Sequence, residues 1–315
     1  MKRISAILTL SLLLPAAAGF SYECPKGGQE TAADCPWAGA ARLVAGRPAP
    51  EIGRVLASYA PGLRRQLDAD RADPALLRLW GESVNYDELA NGEIVDPGLL
   101  GWLTASVGAP APRGRVAHAG TEHTYGYLFS LLPTKFGFKR ARWVRPDIED
   151  GLGLPRGSVG PAPAEGTLLA NVTCLAGGVA LKDDPAAWAL LGRTASRCSR
   201  AVRKFSFAAV KRTRLTEEVR LAGGRRVVLR TDLVPFAREA GGNSHLLIYS
   251  VYDSALKRAY LVTAFPVARS FVESVTAAGG LGEDKPVQTR YNAYVGGLTG
   301  AGGFKGTRRA GLVEK

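Results

Sequence analysis

The residues best suited to chemistry cluster between His118 and Asp150. Two of the chain's three histidines fall in the run His118-Ala-Gly-Thr-Glu122-His123. Six aromatic rings follow closely: Tyr125, Tyr127, Phe129, Phe136, Phe138 and Trp143. Lys135, Lys139, Arg140, Arg142 and Arg145 are interleaved with them, and no acid occurs between His123 and Pro146. Glu122 closes the segment on one side, and Asp147, Glu149 and Asp150 close it on the other.

Three chemistries fit this set. Flat rings with cations suit a polymer that carries stackable faces and negative charge. Single-stranded nucleic acid has both. So does a sugar polymer with acidic groups, whose CH faces pack on aromatic rings. On this reading Tyr125, Tyr127 and Trp143 form a platform, and Arg140, Arg142 and Arg145 hold the negative groups. The competing reading makes Tyr125, Tyr127 and Phe129 the buried face of a strand, with the bases on a solvated rim.

Clustered His and Glu also suit zinc, with a carboxylate as ligand or base. His118 and His123 are the candidate ligands, and His245 is a third that the fold could bring in. The spacing H-x-x-x-E-H matches neither H-E-x-x-H nor H-x-x-E-H. The third chemistry is hydrolysis by paired acids. Glu122 is the candidate acid or base, Asp147 or Glu149 its partner, and His123 a base. Nearby cations lower a carboxyl's pKa and aromatic burial raises it. The sequence leaves the winner open. Glu82, Asp87 and Glu88, in the acidic stretch 81–96, are alternative acids, although helix caps and a solvated loop explain that stretch more simply.

Other familiar sites are excluded. There is no G-x-S-x-G nucleophile elbow. The glycine-rich tail Gly296–Gly303 lacks the Gly-Lys-Ser/Thr ending of a phosphate loop. No C-x-x-C occurs, so neither a thioredoxin-like redox site nor a zinc ribbon is indicated.

These residues sit in a chain of 315 residues with 41 Lys plus Arg against 28 Asp plus Glu, a formal net charge of +13. Apolar residues make up 46% and charged residues 22%, which excludes intrinsic disorder and leaves ample core. Lys2 and Arg3 precede an uncharged apolar run, 6–18, that ends in Ala16-Ala17-Ala18. That pattern predicts a secretory signal peptide over residues 1–18. Cleavage there removes two positive charges. The remainder is then expected to be soluble, exported to the periplasm or secreted, with no further transmembrane segment. Export makes nucleic acid an unlikely partner and an anionic polymer or glycan a better one. An oxidising compartment also favours disulfides, and short loops favour Cys24–Cys35 and Cys174–Cys198.

The order of elements predicts an α+β fold, with a helical N-terminal region packed on a mostly antiparallel C-terminal sheet. Residues 19–150 form the helical part with the aromatic and basic segment. Residues 151–315 form the β-rich part, in the same domain or beyond a boundary at 151–166. Asp73-Pro74, Asp96-Pro97 and Asp184-Pro185 mark helix starts. Period-2 runs at 227–234, 245–252 and 259–265 read as strands, the last two forming a hairpin about 253–257. Residues 167–181 also read as a strand. Two functions follow from this reading. One is an exported hydrolase of an anionic or glycan-rich envelope polymer. The other is a non-catalytic, basic binding protein for cell-wall polymer, anionic lipid or an acidic protein.

Overall fold

In the computed structural model, the structure describes residues 35–134, 137–205, 210–220, 225–277, 293–294 and 310–314. The architecture is α+β, with helices leading and an antiparallel sheet in the C-terminal part. Short strands come first: β1 (Glu82–Val84), β2 (Val116–His118), β3 (Pro133–Thr134) and β4 (Gly137–Phe138). The long strands follow: β5 (Thr213–Arg220), β6 (Arg226–Ala240), β7 (Asn243–Asp253) and β8 (Arg258–Val267). β9 (Ala293–Tyr294) and β10 (Ala310–Glu314) complete them. The main sheet runs β10-β5-β6-β7-β8, and a second, small sheet runs β2-β1-β9.

The Asp-Pro pairs start helices for a local reason. Asp96 accepts the Leu99 amide at 2.9 Å and opens the helix Pro97–Val107. Asp184 accepts the Ala187 amide at 2.8 Å and opens Pro185–Thr194. In each, the carboxylate satisfies an orphan N–H, and proline's fixed φ suits the first turn. Asp73 does the same for only a short helix, Pro74–Leu77. Pro61 divides the preceding segment into Ala49–Tyr59 and Pro61–Arg71.

The sheet follows its alternating pattern. Gly241 and Gly242, at φ +59° and +83°, form the tight turn between β6 and β7. A two-residue turn with both φ positive is the geometry that glycine adopts without strain. The hairpin about 253–257 joins β7 to β8. One residue, Val262, is extra where Tyr249 faces Thr263 and Ser250 faces Leu261, which makes a β-bulge.

One expectation is overturned. Residues 167–181 are not a strand but the helix Leu168–Ala180, buried at every position. Thr167 caps it through the Ala170 amide. A continuous apolar run has no periodicity to separate a buried strand from a buried helix. This helix packs on β6, β7 and β8. The disulfide Cys174–Cys198 ties it to the segment that follows Pro185–Thr194. Cys24, one half of the Cys24–Cys35 pairing, falls outside the described residues. So do the signal-peptide segment 1–18 and most of the tail. Among the described residues, no helix is long and apolar enough to cross a membrane.

Some of the basic residues in the C-terminal half are structural. Arg214 makes a two-pronged pair with Asp232, at 2.7 and 2.9 Å, and also reaches Asp183 at 2.7 Å. Arg212 joins the same acids.

Candidate functional site

The His118–Tyr127 segment folds into the space between the N-terminal helices and β8. β2 ends at His118, one helical turn follows, and Glu122–Gly126 forms a π-turn. Such turns recur at functional sites because the extra residue re-aims its side chain. Close packing fixes the turn. A Cβ on Gly120 would stand 2.7 Å from the Trp80 ring, so only glycine lets that ring approach. Trp80 is anchored by its Nε1–H, which donates to Thr173 Oγ1 at 2.8 Å. Trp143 Nε1–H donates to the His123 carbonyl at 2.7 Å. That bond satisfies a carbonyl of the π-turn.

Glu122 is fully buried. Ser83, on the central strand of the small sheet, donates its hydroxyl to Glu122 Oε2 at 2.5 Å. Glu122 Oε1 lies 3.7 Å from His123 Nε2 and lacks a well-formed hydrogen bond. Burial pushes the carboxyl up to about 7, against the Ser83 hydroxyl, the Lys139 and Arg142 charges and the Tyr127 hydroxyl, which all pull it down. The contest between cations and burial is thus decided in favour of burial. The group is close to half-protonated at neutral pH.

His123 is equally buried, and neither ring nitrogen has a well-formed hydrogen bond. Burial, then Arg142 and Lys139, drive its pKa well below an ordinary histidine's, and the Val262 backbone at the bulge only partly offsets them. The ring is neutral. Tyr127 stacks on it at 4.7 Å between centroids. Arg142 lies over Tyr127 at 5.0 Å and over Phe265 at 4.0 Å, and reaches Thr263 Oγ1 at 3.3 Å. Lys139, one turn before it, stands 3.7 Å from Asp87. Burial and Arg142 lower the Lys139 pKa to about 8.

The remaining predicted residues go elsewhere. His118 is used up at both nitrogens. Nδ1 accepts the Thr121 amide at 3.1 Å, and Nε2 bonds the Leu77 carbonyl at 3.0 Å. These bonds assign a neutral tautomer and leave no free lone pair for a metal. His245, on β7, bonds Ser244 and so has a local role. No group of three potential metal ligands occurs among the described residues. Asp147 serves the β6–β7 turn. It accepts from Asn243 Nδ2 at 2.9 Å and packs against Gly241 so closely that a Cβ there would stand 2.2 Å from its carboxyl oxygen. Glu149 accepts the Val159 amide and secures the loop 153–166.

The platform role does not fit Tyr125, Tyr127 or Trp143, because all three rings are buried in the core. They sit on helical turns, not on a strand face. Tyr125 donates to Asp70 Oδ2 at 2.6 Å, and Thr167 donates to Asp70 Oδ1 at 2.6 Å. That triad staples Pro61–Arg71 to the central helix. Arg140 is buried, donates to the Ser130 carbonyl and covers the Phe138 ring. Arg145 is half-buried outside this cluster of contacts.

The site is therefore Ser83, Glu122, His123, Tyr127, Lys139 and Arg142, with Asp87 at its rim. Ser83 escaped sequence reasoning because only strand pairing brings it to Glu122. Lys139 had a local signal, since it stands three residues before Arg142, whose amide donates to the Lys139 carbonyl in the turn that leads into the helix Ala141–Val144. In comparisons with known proteins, the chain matches no family model, and no curated protein or solved structure is significantly similar to it.

Proposed function

We propose that the chain is an exported hydrolase of an anionic or glycan-rich polymer, with Glu122 as its acid–base residue. The observation that carries this reading is a fully buried carboxyl, pushed up to about 7, whose oxygen lies 3.7 Å from the ring nitrogen of a buried, neutral histidine. Perturbed, adjacent titratable groups are the mark of acid–base sites.

Glu122, protonated, gives its proton to the leaving oxygen as the bond between that oxygen and the sugar carbon breaks. Water supplies the hydroxyl that bonds to the carbon, and His123 takes the water's second proton. Return of that proton from His123 to Glu122, across 3.7 Å, resets the pair. Disulfide Cys174–Cys198 supports an oxidising compartment, periplasmic or extracellular.

Wild-type chain and Glu122→Gln are to be assayed on purified acidic and neutral envelope polysaccharides. The reading expects cleavage by the wild type and none by the variant, with similar unfolding midpoints below pH 5. Unaltered turnover in Glu122→Gln would sink it. The net charge of +13 favours a second reading, a binding protein that acts through its positive field alone. Retention on the polymer that falls steeply with salt, without cleavage, would support that alternative.

A further inference from the structure

The hydrolase reading leaves one feature unexplained: two cations share the acid's surroundings, and one of them, Arg142, makes no close ion pair among the described residues, with Glu122 acting on it only through space. Among the described residues no carboxylate pairs with Arg142. Its one hydrogen bond, to Thr263, is long at 3.3 Å. Its guanidinium is held in place by two ring faces, Tyr127 and Phe265. Burial is also the leading reason why its pKa falls below that of an ordinary arginine. Holding a largely desolvated charge without a close ion pair is costly. Perturbed charged groups of this kind cluster at functional sites.

Lys139 stands one turn away, and its repulsion with Arg142 is part of what lowers its pKa. Lys139 has only a loose partner. Asp87 lies 3.7 Å off, and the two side chains are 15% and 12% exposed, so this pair borders solvent. Asp87 is held there by its own loop, because its Oδ1 accepts the Leu89 and Ala90 amides. Around the same carboxyl are three buried polar atoms whose bonds are poorly formed: Glu122 Oε1 and both nitrogens of His123. Two neighbouring cations beside poorly satisfied polar atoms suit an oxyanion attached to a polar molecule.

We infer that Lys139 and Arg142 form an oxyanion subsite, which takes a carboxylate or phosphate group of a sugar, with Asp87 as the internal group that this anion displaces from Lys139. The subsite belongs to the site proposed above and names the charged group its substrate carries. Arg142 presents a planar fork of donors that matches such oxyanions, and Lys139 adds a point charge.

Binding can be read without turnover. Glucuronate, glucose and inorganic phosphate are titrated into the full chain by calorimetry at low salt, in the wild type, Lys139→Met, Arg142→Met and Asp87→Asn. The subsite predicts that glucuronate or phosphate binds and glucose does not. Lys139→Met should weaken the anion by about tenfold or more, equivalent to about 1.4 kcal/mol. Arg142→Met should weaken it further. Asp87→Asn removes the competitor and should tighten binding several-fold, a gain that loss of folding cannot mimic. Stronger binding of phosphate or of glucuronate assigns the group, and either result upholds the subsite. Equal binding of glucose, or an anion affinity indifferent to Lys139→Met and Asp87→Asn, overturns it. Anion binding that needs Lys139 in a protein that cleaves nothing would keep the subsite and reject the hydrolase. Turnover that needs Glu122 without Lys139-dependent binding would do the reverse.

Discussion

Replacing Glu122 by Gln should stabilise the protein at neutral pH and not at acid pH. The ordinary value for the carboxyl is 4.5, and in the fold burial raises it to about 7. A raised pKa means that the folded state favours the protonated form. The stability that this preference contributes is complete below about pH 4.5. It is lost as pH rises, and the loss is complete somewhat above pH 7. At about 1.4 kcal/mol per pH unit, the interval amounts to about 3 kcal/mol. Glutamine has the shape of the protonated acid, can accept from Ser83 and cannot ionise. The assay is urea unfolding of both proteins at steps from pH 4 to pH 8, with stabilities compared at each pH. The histidines and Asp70 are present in both chains, so their titrations cancel in the difference. Lys139, at about 8, sets the upper bound of the window. The variant should gain about 3 kcal/mol relative to wild type across the range, most of it between pH 5 and pH 7. A difference that stays flat would mean that Glu122 titrates alike in the folded and unfolded chains and is ionised at neutral pH. It would then be no acid at neutral pH, and the argument from burial would fail.

Ser83→Ala removes a hydroxyl that favours the carboxylate form, so the Glu122 pKa should rise further and the alkaline limb of a pH–rate profile should move to higher pH. Gly120→Ala would place a methyl 2.7 Å from the Trp80 ring and should cost about 1–3 kcal/mol in urea unfolding, with a change in tryptophan fluorescence as that ring shifts. Cys174→Ser with Cys198→Ser opens a loop of sequence separation 24 and should lower stability by about 3 kcal/mol, matched by wild-type protein in reductant.

Much of the frame was legible in the sequence because the signals that set it are local. An Asp before a Pro caps a helix with atoms from neighbouring residues, and Asp96 and Asp184 do so here. Alternation over 227–234 and 245–252 marks strands since one face of each is buried. The helix Leu168–Ala180 was illegible as a helix, because burial on every side erases the period that distinguishes the two structures. Of the site, Glu122, His123 and Arg142 were visible from their types and crowding. Three properties were not. The Ser83 hydroxyl arrives through strand pairing with Ala117, 34 residues on in sequence, His118 is claimed by a carbonyl 41 residues away, and Asp147 is claimed by a distant turn. Side chains are recruited by whichever donor or acceptor the fold leaves unpaired nearby, and composition does not encode that.

The rings that suggested a sugar platform are better seen as the cause of the site's chemistry. A stacking platform must be exposed, whereas Tyr127 and Trp143 are buried on either side of the π-turn. Their burial excludes water from Glu122 and His123. Excluding water raises the pKa of one and lowers that of the other, which keeps the imidazole uncharged and favours the uncharged form of the carboxyl. Arg142 and Lys139 oppose the first shift and reinforce the second. A bound oxyanion would cancel much of their field, raising Glu122 further and securing its proton when the substrate is in place. The aromatic residues and the cations therefore act on the same carboxyl in opposite senses; burial already prevails in the free site, and a bound anion would widen its lead.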